Sequence, residues 1–211
     1  MTGQTTTPKK RAPRGKYAKT DETRKAILDE ALHVFAASGY RAGSVAKIAT
    51  NIGMTEAGIA YHFPNKAALL QAVLDYRDDQ LREIIISEGD GIRMLKAVIE
   101  LHESLTQSRG YAELYCVVSA EAINPKHPAH ERFVNQRRGS RKILRDAFQD
   151  LAAKNLLAPG VDPNLAGDIC SAHIDGIQIQ WLLEAEEIYM ADQVECLFRQ
   201  FIPSWPTEGH S

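Results

Sequence analysis

One stretch of the chain, residues 44–66, limits the possible folds more than any other, because two short helical patterns meet there at a single tight turn, SVAKIATNIGMTEAGIAYHFPNK. A helix-turn-helix needs a small residue where the helices touch, a turn glycine with positive φ, and a branched apolar residue on the second helix. Ala49, Gly53 and Ile59 meet these needs in this order. The stretch therefore predicts a helix-turn-helix, and an ordinary helical hairpin is the alternative.

Residues at the ends of the two patterns predict where each helix begins and ends. The hydroxyls of Ser44 and Thr55 can accept the first free amide protons of a helix. Pro64 cannot continue a helix, so the second one should end at His62 or Phe63. In a helix-turn-helix, the second helix lies in the major groove of DNA and presents its N-terminal residues to base edges. The helix after Thr55 is therefore the candidate recognition helix.

The composition indicates a globular protein with enough apolar residues for a core. Of the 211 residues, 44% are hydrophobic, which excludes general disorder and suits one or two domains. No apolar run reaches the roughly 18 residues that cross a bilayer, and residues 1–25 lack the apolar centre of a signal peptide. We therefore expect a cytoplasmic protein with no membrane partner.

The net charge of −2 hides an uneven distribution of charge. Residues 1–20 contain six basic residues and no acid, so the remaining 191 residues carry −8. The six are Lys9, Lys10, Arg11, Arg14, Lys16 and Lys19. Because Thr, Pro and Gly accompany them without periodicity, residues 1–19 are predicted to form a disordered basic arm that contacts DNA phosphates. A solubilising tail is the alternative.

Helical periodicity continues through the rest of the chain, and no segment shows the alternation of a strand. A first helix is predicted from Thr20 to Ser38, and Gly39 should end it. Tyr40 and Arg41 follow where they could reach phosphate. Further helices are predicted at 65–86, 92–107, 111–123, 128–153, from 163 to about 187, and at 190–201. The predicted fold class is all-α, with an N-terminal three-helix helix-turn-helix domain and a C-terminal helical bundle, about nine helices in all.

Five polar or amphipathic side chains fall on otherwise apolar helix faces of the C-terminal half, namely His102, Tyr115, Glu121, Arg137 and His173. Such a set predicts a small-molecule pocket. Each residue also has a structural alternative. His102 and His173 could be buried and satisfied by a neighbour, and Glu121 with Arg137 could form an internal ion pair.

Other patterns are compatible with chemistry but favour simpler interpretations. The HPAH segment places His127 and His130 at a spacing that two metal ligands could share, yet no acid or cysteine completes the set, which favours capping of the next helix. Cys116, Cys170 and Cys196 lie far apart without metal-ligand spacing. We expect no metal and no cofactor.

A second nucleic-acid patch and an enzyme are further alternatives. The basic residues of the 128–153 helix spread around it rather than along one stripe, which favours a solvated face, and they are Arg132, Arg137, Arg138, Arg141, Lys142 and Arg145. The sequence contains no Gly-rich phosphate loop, nucleophile elbow, paired-carboxylate motif or HExxH. We therefore expect no catalytic residues.

Three segments resemble those of TetR-type transcriptional regulators: TRKAILDEALHVFAASGY, SVAKIATNIGMTEAGIAYHFPNKAALLQAVL and the all-helical remainder. HIDGIQIQWLL at 173–183 resembles a segment of actinobacterial members. The resemblance implies a homodimer joined by the last two helices, and a ligand pocket in the bundle whose occupation weakens DNA binding. Both of these helices have broad apolar sides. The predicted interface residues are Gly176, Ile177, Gln180, Leu183, Val194, Leu197, Phe198 and Phe201.

The resemblance also assigns candidate DNA contacts by position, namely Ser44, Thr55, Tyr61, His62 and Lys66. Glu56 and Ala57, at the start of the recognition helix, are further candidates. The sequence departs from the family pattern because Ala60 replaces an aromatic residue, while Ala57 and Gly58 reduce the contact surface. Such a recognition helix depends more on backbone contacts and DNA shape. Glu56 could accept a hydrogen bond from cytosine N4 or simply favour the helix N-terminus.

The expected function is that of a dimeric regulator, with the helix-turn-helix domain at 20–66 and the ligand-binding and dimerisation domain at 67–211. We expect it to bind a (pseudo)palindromic operator, to be released by an unidentified small-molecule effector, and to repress transcription. A DNA-binding architectural protein or an activator without an effector is the alternative.

Overall fold

The structure, a computed structural model, describes residues 14–85 and 90–206. Within these residues there are nine α-helices and no β-strand, so the predicted all-α class is confirmed. The helices are α1 (Arg14–Ala42), α2 (Val45–Asn51), α3 (Glu56–His62), α4 (Lys66–Ile85), α5 (Gly91–Thr106), α6 (Arg109–Glu121), α7 (His130–Ala153), α8 (Pro163–Leu183) and α9 (Met190–Phe201). None of the helices in the described ranges combines the length and the apolar character that crossing a membrane requires.

The first helix differs most from its prediction. It begins at Arg14 instead of Thr20 and continues past Gly39 to Ala42. Gly39 adopts φ 72° and ψ 175°, a non-helical conformation that is open to glycine, so the first helical segment stops before Gly39 as predicted and a short second segment follows across a kink. The predicted disordered arm is thus helical from Arg14 onward, which corrects its boundary. Its residues 1–13 lie outside the described part of the chain.

Two groups of buried side chains form the interior. The first group lies beneath the helix-turn-helix and contains Phe35, Ile48 and Ile59, which are 0%, 0% and 1% exposed. Their predicted contact in one core is confirmed. The second group fills the space among α5, α7, α8 and α9, where the rings of Phe148 and Phe198 lie 6.3 Å apart and edge to face.

Helix α6 connects the two interiors. Leu114 and Val118 are fully buried in the first group, whereas Ala112 on the same helix belongs to the second. A shift of α6 must therefore disturb the core beneath the helix-turn-helix, because packed side chains leave little free space. The domain division at residue 66 stays a prediction, since buried residues of the first group come from both sides of it.

Helix α4 is fixed to α7 by hydrogen bonds between charged and polar groups. Arg132 donates to Asp75 at 2.6 Å and to Asp78 at 2.7 Å. The amide of Gln71 donates to the carbonyl of Pro128 at 2.9 Å. Since α4 directly follows the helix-turn-helix, these bonds link the recognition helix to the C-terminal bundle.

Candidate nucleic-acid interface and ligand cavity

The turn between α2 and α3 has the predicted geometry. Ser44 Oγ caps α2 by accepting from the N–H of Lys47 at 3.3 Å. Gly53 has a φ of 68°, and the N–H of Met54 donates to the carbonyl of Ala49 at 2.8 Å. The chain reverses directly after α2, so α3 stands at a fixed angle on the surface.

Helix α3 is anchored by its first and middle residues. Thr55 Oγ1 accepts from the N–H of Gly58 at 3.1 Å, and Ile59 is 1% exposed. The ring of Tyr61 is 85% exposed. The exposed residues of α3 are Glu56, Ala57, Ala60 and Tyr61. Because two of these have only a methyl side chain, a DNA duplex can approach the helix backbone closely.

The C-terminal end of α3 is held by Arg24, a residue that the sequence analysis missed. The guanidinium carbon of Arg24 lies 4.4 Å from the ring centroid of Phe63, and Nη1 donates to the carbonyl of His62 at 3.5 Å. The His62 ring meets the Tyr61 ring edge-on at 5.2 Å. No sequence signal distinguished Arg24, because exposed basic residues are common on amphipathic helices.

Tyr40 and Lys66 have partners inside the protein, and their phosphate contacts stay predictions. Lys66 Nζ donates to the carbonyl of Arg41 at 3.1 Å and lies 4.7 Å from the ring centroid of Tyr40. The ring of His127 also meets the Tyr40 ring, edge-on at 4.9 Å. Burial raises the pKa of Tyr40 and lowers the pKa of Lys66. The side chains of Arg41 and Ser44 are exposed, and their DNA contacts stay predictions.

Glu121 lies beside Tyr40 and not in the ligand cavity, which corrects its predicted role. Its carboxylate accepts hydrogen bonds from the N–H of Tyr40 at 2.6 Å and of Arg41 at 3.2 Å. A Cβ at Gly39 would lie 2.6 Å from Glu121 Oε1. His127 Nε2 lies 3.7 Å from Glu121 Oε2. These contacts join α1 to α6 and to the turn that follows it.

The C-terminal bundle contains a cavity of about 340 Å³ lined by residues of α4, α5, α6, α7 and α8. Of the predicted pocket residues, His102 and Tyr115 line this cavity, whereas Arg137 and His173 do not. Arg137 forms an ion pair with Asp175 instead of the proposed pair with a glutamate, and its guanidinium lies 5.2 Å from the Tyr115 ring centroid. It therefore contacts two residues of the cavity wall.

Three polar residues of α8 also line the cavity, and the sequence analysis missed them. They are Ser171, Asp175 and Gln178. Their spacing of four and three residues places them on one face of the helix, and this spacing could have revealed them. On α8 the predicted pocket residue was His173 instead, and it does not line the cavity.

His127 and His130 stabilise the turn that precedes α7. His127 Nδ1 accepts from the N–H of Ala129 at 3.2 Å, and His130 Nδ1 lies 2.7 Å from the carbonyl oxygen of Ala122. Both rings thus have local structural roles in the turn, but α7 begins after Ala129 without a side-chain capping hydrogen bond, which corrects the capping interpretation. In residues 14–85 and 90–206, no three His, Cys, Asp or Glu side chains converge as metal ligands would.

Most basic side chains of α7 are paired with carboxylates. The pairs are Arg132 with Asp75 and Asp78, Arg137 with Asp175, Lys142 with Asp146, and Arg145 with Asp168. Pairing of this kind favours the solvated-face interpretation over a second nucleic-acid patch, because a paired guanidinium is less available to phosphate. Of the predicted N-terminal contacts, Lys9, Lys10 and Arg11 lie outside the described residues, and Arg14 opens α1.

Helix α8 carries an exposed apolar face. Leu165, Ile169, Ile179 and Leu183 are 59%, 42%, 52% and 79% exposed. With Ala172 and Gly176 between them, these residues recur at alternating spacings of four and three, which is the pattern of a helix that packs against another helix. We call this set the α8 face.

The α8 face differs from part of the predicted dimer interface. Ile177, Val194 and Phe198 are 1%, 0% and 0% exposed and belong to the second interior of the same subunit. They are not available to a partner, which corrects their prediction. The remaining predicted interface residues are at least partly accessible, and they are Gly176, Gln180, Leu183, Leu197 and Phe201.

The turn geometry and the helical bundle define an all-helical protein with an N-terminal helix-turn-helix. The family model described as bacterial regulatory proteins, tetR family, matches residues 27–73. The resemblance of the chain to TetR-type transcriptional regulators is thus confirmed over this N-terminal segment.

Two relatives show how far the sequence similarity extends. The HTH-type transcriptional regulator SrpR of Pseudomonas putida is 41% identical over 64 residues, which are 30% of this chain and 30% of SrpR. The alignment thus spans less than a third of that relative's length. The HTH-type transcriptional regulator TtgR, also of Pseudomonas putida, is 26% identical over 187 residues, which cover 82% of this chain and 87% of TtgR.

The fold extends to solved structures with little sequence identity. The transcriptional regulator FadR from Bacillus subtilis, in complex with stearoyl-CoA, superposes with a TM-score of 0.66. The alignment covers 87% of this chain and 99% of FadR at 21% identity, and at this identity the likeness shows the fold alone.

Proposed function

We propose that the protein binds a (pseudo)palindromic DNA operator as a homodimer, represses transcription there, and is released by a small-molecule effector in the cavity of its bundle. The observation that carries this proposal is the connection between the two sites. Helices α4 and α6 contribute residues to the cavity wall, and both also pack in the core beneath the helix-turn-helix. The proposal assigns the protein a binding function in the cytoplasm and no catalytic step.

The DNA-binding part of the proposal rests on α3. Its first turn is capped by Thr55, its inner side is anchored by Ile59, and Tyr61 stands 85% exposed on the outer side. A helix presented in this way fits the major groove, with the phenol of Tyr61 within reach of a phosphate or a base edge. The sparse surface around Ala57 and Ala60 favours recognition through the DNA backbone and DNA shape.

The dimer rests on the α8 face. An exposed row of branched side chains on one helix of a folded subunit marks a protein interface, because burial of this surface is favourable. A two-fold axis beside α8 would pair the face with itself and give two recognition helices. Operator half-sites repeat at about 34–36 Å, so a dimer binds both only at one separation of these helices.

The coupling of effector to DNA follows two physical routes. Asp78 of α4 lines the cavity and is bound by Arg132, and α4 leads directly to the helix-turn-helix. Tyr115 of α6 also lines the cavity, and α6 ends at Glu121, which holds α1 at its kink. An effector that moves either wall changes the separation of the recognition helices, and the dimer then loses one or both half-sites.

Selection of bound duplexes from a random DNA pool by the full-length protein tests the first part of this proposal. We expect an inverted repeat. A metabolite screen for release of that DNA then tests the effector. An architectural protein would give no releasing ligand, and an activator would raise transcription from a reporter that carries the selected site.

Two matched variants locate the DNA interface. We expect Tyr61→Ala to weaken binding of the selected duplex at least about tenfold, because it removes an exposed aromatic contact of α3. The double variant Arg138→Ala and Arg141→Ala should leave this affinity within about twofold at moderate salt. The opposite ranking would assign DNA binding to α7 and contradict the proposed interface.

A further inference from the structure

The chemistry of the effector can be inferred from the cavity wall, and this step rests on the proposed function. His102 lies in the middle of α5 and is 2% exposed. Its Nδ1 lies 2.7 Å from the carbonyl oxygen of Val98. A carbonyl oxygen only accepts hydrogen bonds, so Nδ1 carries the proton and Nε2 of the neutral ring is an acceptor.

The neutral form of His102 is favoured by its surroundings. Burial lowers the pKa of His102, and the nearby His173 lowers it further because two positive rings would repel each other. Among the described residues, Nε2 is buried and has no hydrogen-bond partner. A buried acceptor without a partner is costly, so a donor group in the cavity gains this interaction without competing with another protein group.

Gln178 on α8 also lines this cavity and carries a second acceptor without a partner among the described residues. Its side chain is 6% exposed, and the acceptor is Oε1. His102 lies on α5 and Gln178 lies on α8, so two helices each contribute an acceptor without a partner to the cavity wall. The two groups fit an occupant that donates hydrogen bonds.

The charged residues of the wall indicate which charge on a ligand would be unfavourable. The charged residues that line the cavity in the described part of the chain are Asp78 and Asp175, and both are acids. Arg132 binds Asp78, and Arg137 binds Asp175, so these guanidinium groups are engaged with protein carboxylates. Among these described wall residues, an anionic ligand would find no unengaged cation and would meet two carboxylates.

Most of the remaining wall is apolar, although Gln136, Ser140 and Ser171 also line it. The aliphatic and aromatic side chains of the wall include Val98, Leu101, Leu105, Tyr115, Ile143 and Ile174. A cavity of about 340 Å³ lies at the lower end of the usual range for ligand pockets. It therefore suits a small body of one or two rings.

We propose that the effector is an uncharged amphipathic molecule, whose apolar ring body fills the cavity and whose hydroxyl or N–H group donates a hydrogen bond to His102 Nε2. Gln178 accepts a second hydrogen bond or orients the donor. The pair of acceptors selects for a donor group, and the two carboxylates select against an anion.

Three matched probes test the proposal by calorimetry with the full-length protein: 4-phenylphenol, 4-methoxybiphenyl and biphenyl-4-carboxylate. They share one ring body and differ in the polar group. We expect the phenol to bind at least about tenfold more tightly than the methyl ether, because the ether cannot donate to His102. The carboxylate should bind more weakly than both.

The variant His102→Leu identifies the acceptor. It should bind the phenol and the ether with affinities within about twofold of each other, and retained ether binding shows that the cavity is intact. His33→Leu is the matched control, because His33 is exposed on α1 and lies away from the cavity. This control should keep the wild-type preference for the phenol.

The outcomes separate this inference from the proposed function. Equal binding of the phenol and the ether by the wild-type protein, tightest binding of the carboxylate, or no binding of any probe overturns the ligand chemistry. DNA selection is measured independently of these probes. Failure to select DNA would overturn the regulatory function while a preference for the phenol, lost in His102→Leu, still supports the site.

Discussion

The carboxylate of Glu121 accepts a hydrogen bond of 2.6 Å from the backbone N–H of Tyr40, and this bond joins the end of α6 to α1. Gly39 kinks α1 immediately before this point, so the next amides begin a new helical turn. Glu121 thus caps this turn in the way that an N-cap residue would, although it belongs to a distant helix. The position of α6 and the position of the helix-turn-helix are therefore mechanically linked.

Removal of this cap should destabilise the protein. We expect Glu121→Ala to lower the free energy of unfolding by about 1–3 kcal/mol, because the N–H groups of Tyr40 and Arg41 lose their acceptor. Urea unfolding followed by circular dichroism measures this change. Glu113→Ala is the control on the same helix, since Glu113 pairs with Arg109 on the exposed surface and should cost less than about 1 kcal/mol. Equal losses in both variants would contradict the capping role.

Two glycines with positive φ should differ in their tolerance of alanine. Gly53 has open space around its missing Cβ, so Gly53→Ala should cost only the backbone strain of about 1–2 kcal/mol. At Gly39 the same strain is joined by a contact of 2.6 Å with Glu121 Oε1. We therefore expect Gly39→Ala to be the more destabilising substitution by thermal unfolding. A double variant with Glu121→Ala should recover part of the difference, and a strictly additive result would argue against the steric contact.

The helix-turn-helix was predictable because its signals are local. Ala49, Gly53 and Ile59 act through a spacing that short helices and a tight turn impose on neighbouring residues. The caps at Ser44 and Thr55 are equally local and were found. Features that depend on distant chain segments, such as the Glu121 cap, left no pattern in the sequence, and a glutamate on a mostly apolar helix was equally compatible with a pocket.

Helix α8 is a second case in which the sequence did not reveal the contacts of a side chain. It is apolar on two sides, and the sequence could not tell which side meets the subunit's own core. Ile177 was predicted at the interface but is buried, whereas Ile179 is 52% exposed on the α8 face. In the cavity, His102 was found because a histidine in an apolar stripe is unusual. Gln178 was missed because polar residues occur on several sides of α8.

The α8 face can be tested through the oligomeric state. We expect the double variant Ile179→Glu and Leu183→Glu to be monomeric at concentrations where the wild-type protein is dimeric, because four glutamates would meet across the two-fold axis. Sedimentation velocity measures this state. Ile123→Glu is the control, since Ile123 is 78% exposed in the turn that follows α6 and lies off the α8 face. A variant dimer as stable as the wild-type dimer would show that the interface lies on another surface of the subunit.

The buried His102 should make the protein less stable in acid. Its pKa is lowered by burial, so on acidification the unfolded chain binds a proton near the ordinary pKa of about 6.5 while the folded protein does not. The stability contribution is complete above this pH and falls as the pH decreases, by up to about 1.4 kcal/mol per pH unit.

The variant His102→Leu isolates this contribution. Unfolding free energies between pH 7 and pH 5 should fall less steeply in the variant, although His127 and His173, whose pKa values burial also lowers, retain part of the slope. His33→Leu, an exposed replacement on α1, should keep the wild-type dependence. Parallel curves for His102→Leu and the wild type would show that His102 does not titrate differently in the folded protein.

The basic N-terminal residues should contribute sequence-independent affinity for DNA. Each cation that pairs with a phosphate steepens the plot of log affinity against log salt by about 0.9, so the triple variant Lys9→Gln, Lys10→Gln and Arg11→Gln should reduce the slope by up to about 2.7. Fluorescence anisotropy with the selected operator measures this slope. Arg138→Gln, Arg141→Gln and Lys142→Gln form the control with the same change in net charge, placed on α7. If both triple variants change the slope equally, only the net charge matters and the arm is a solubilising tail.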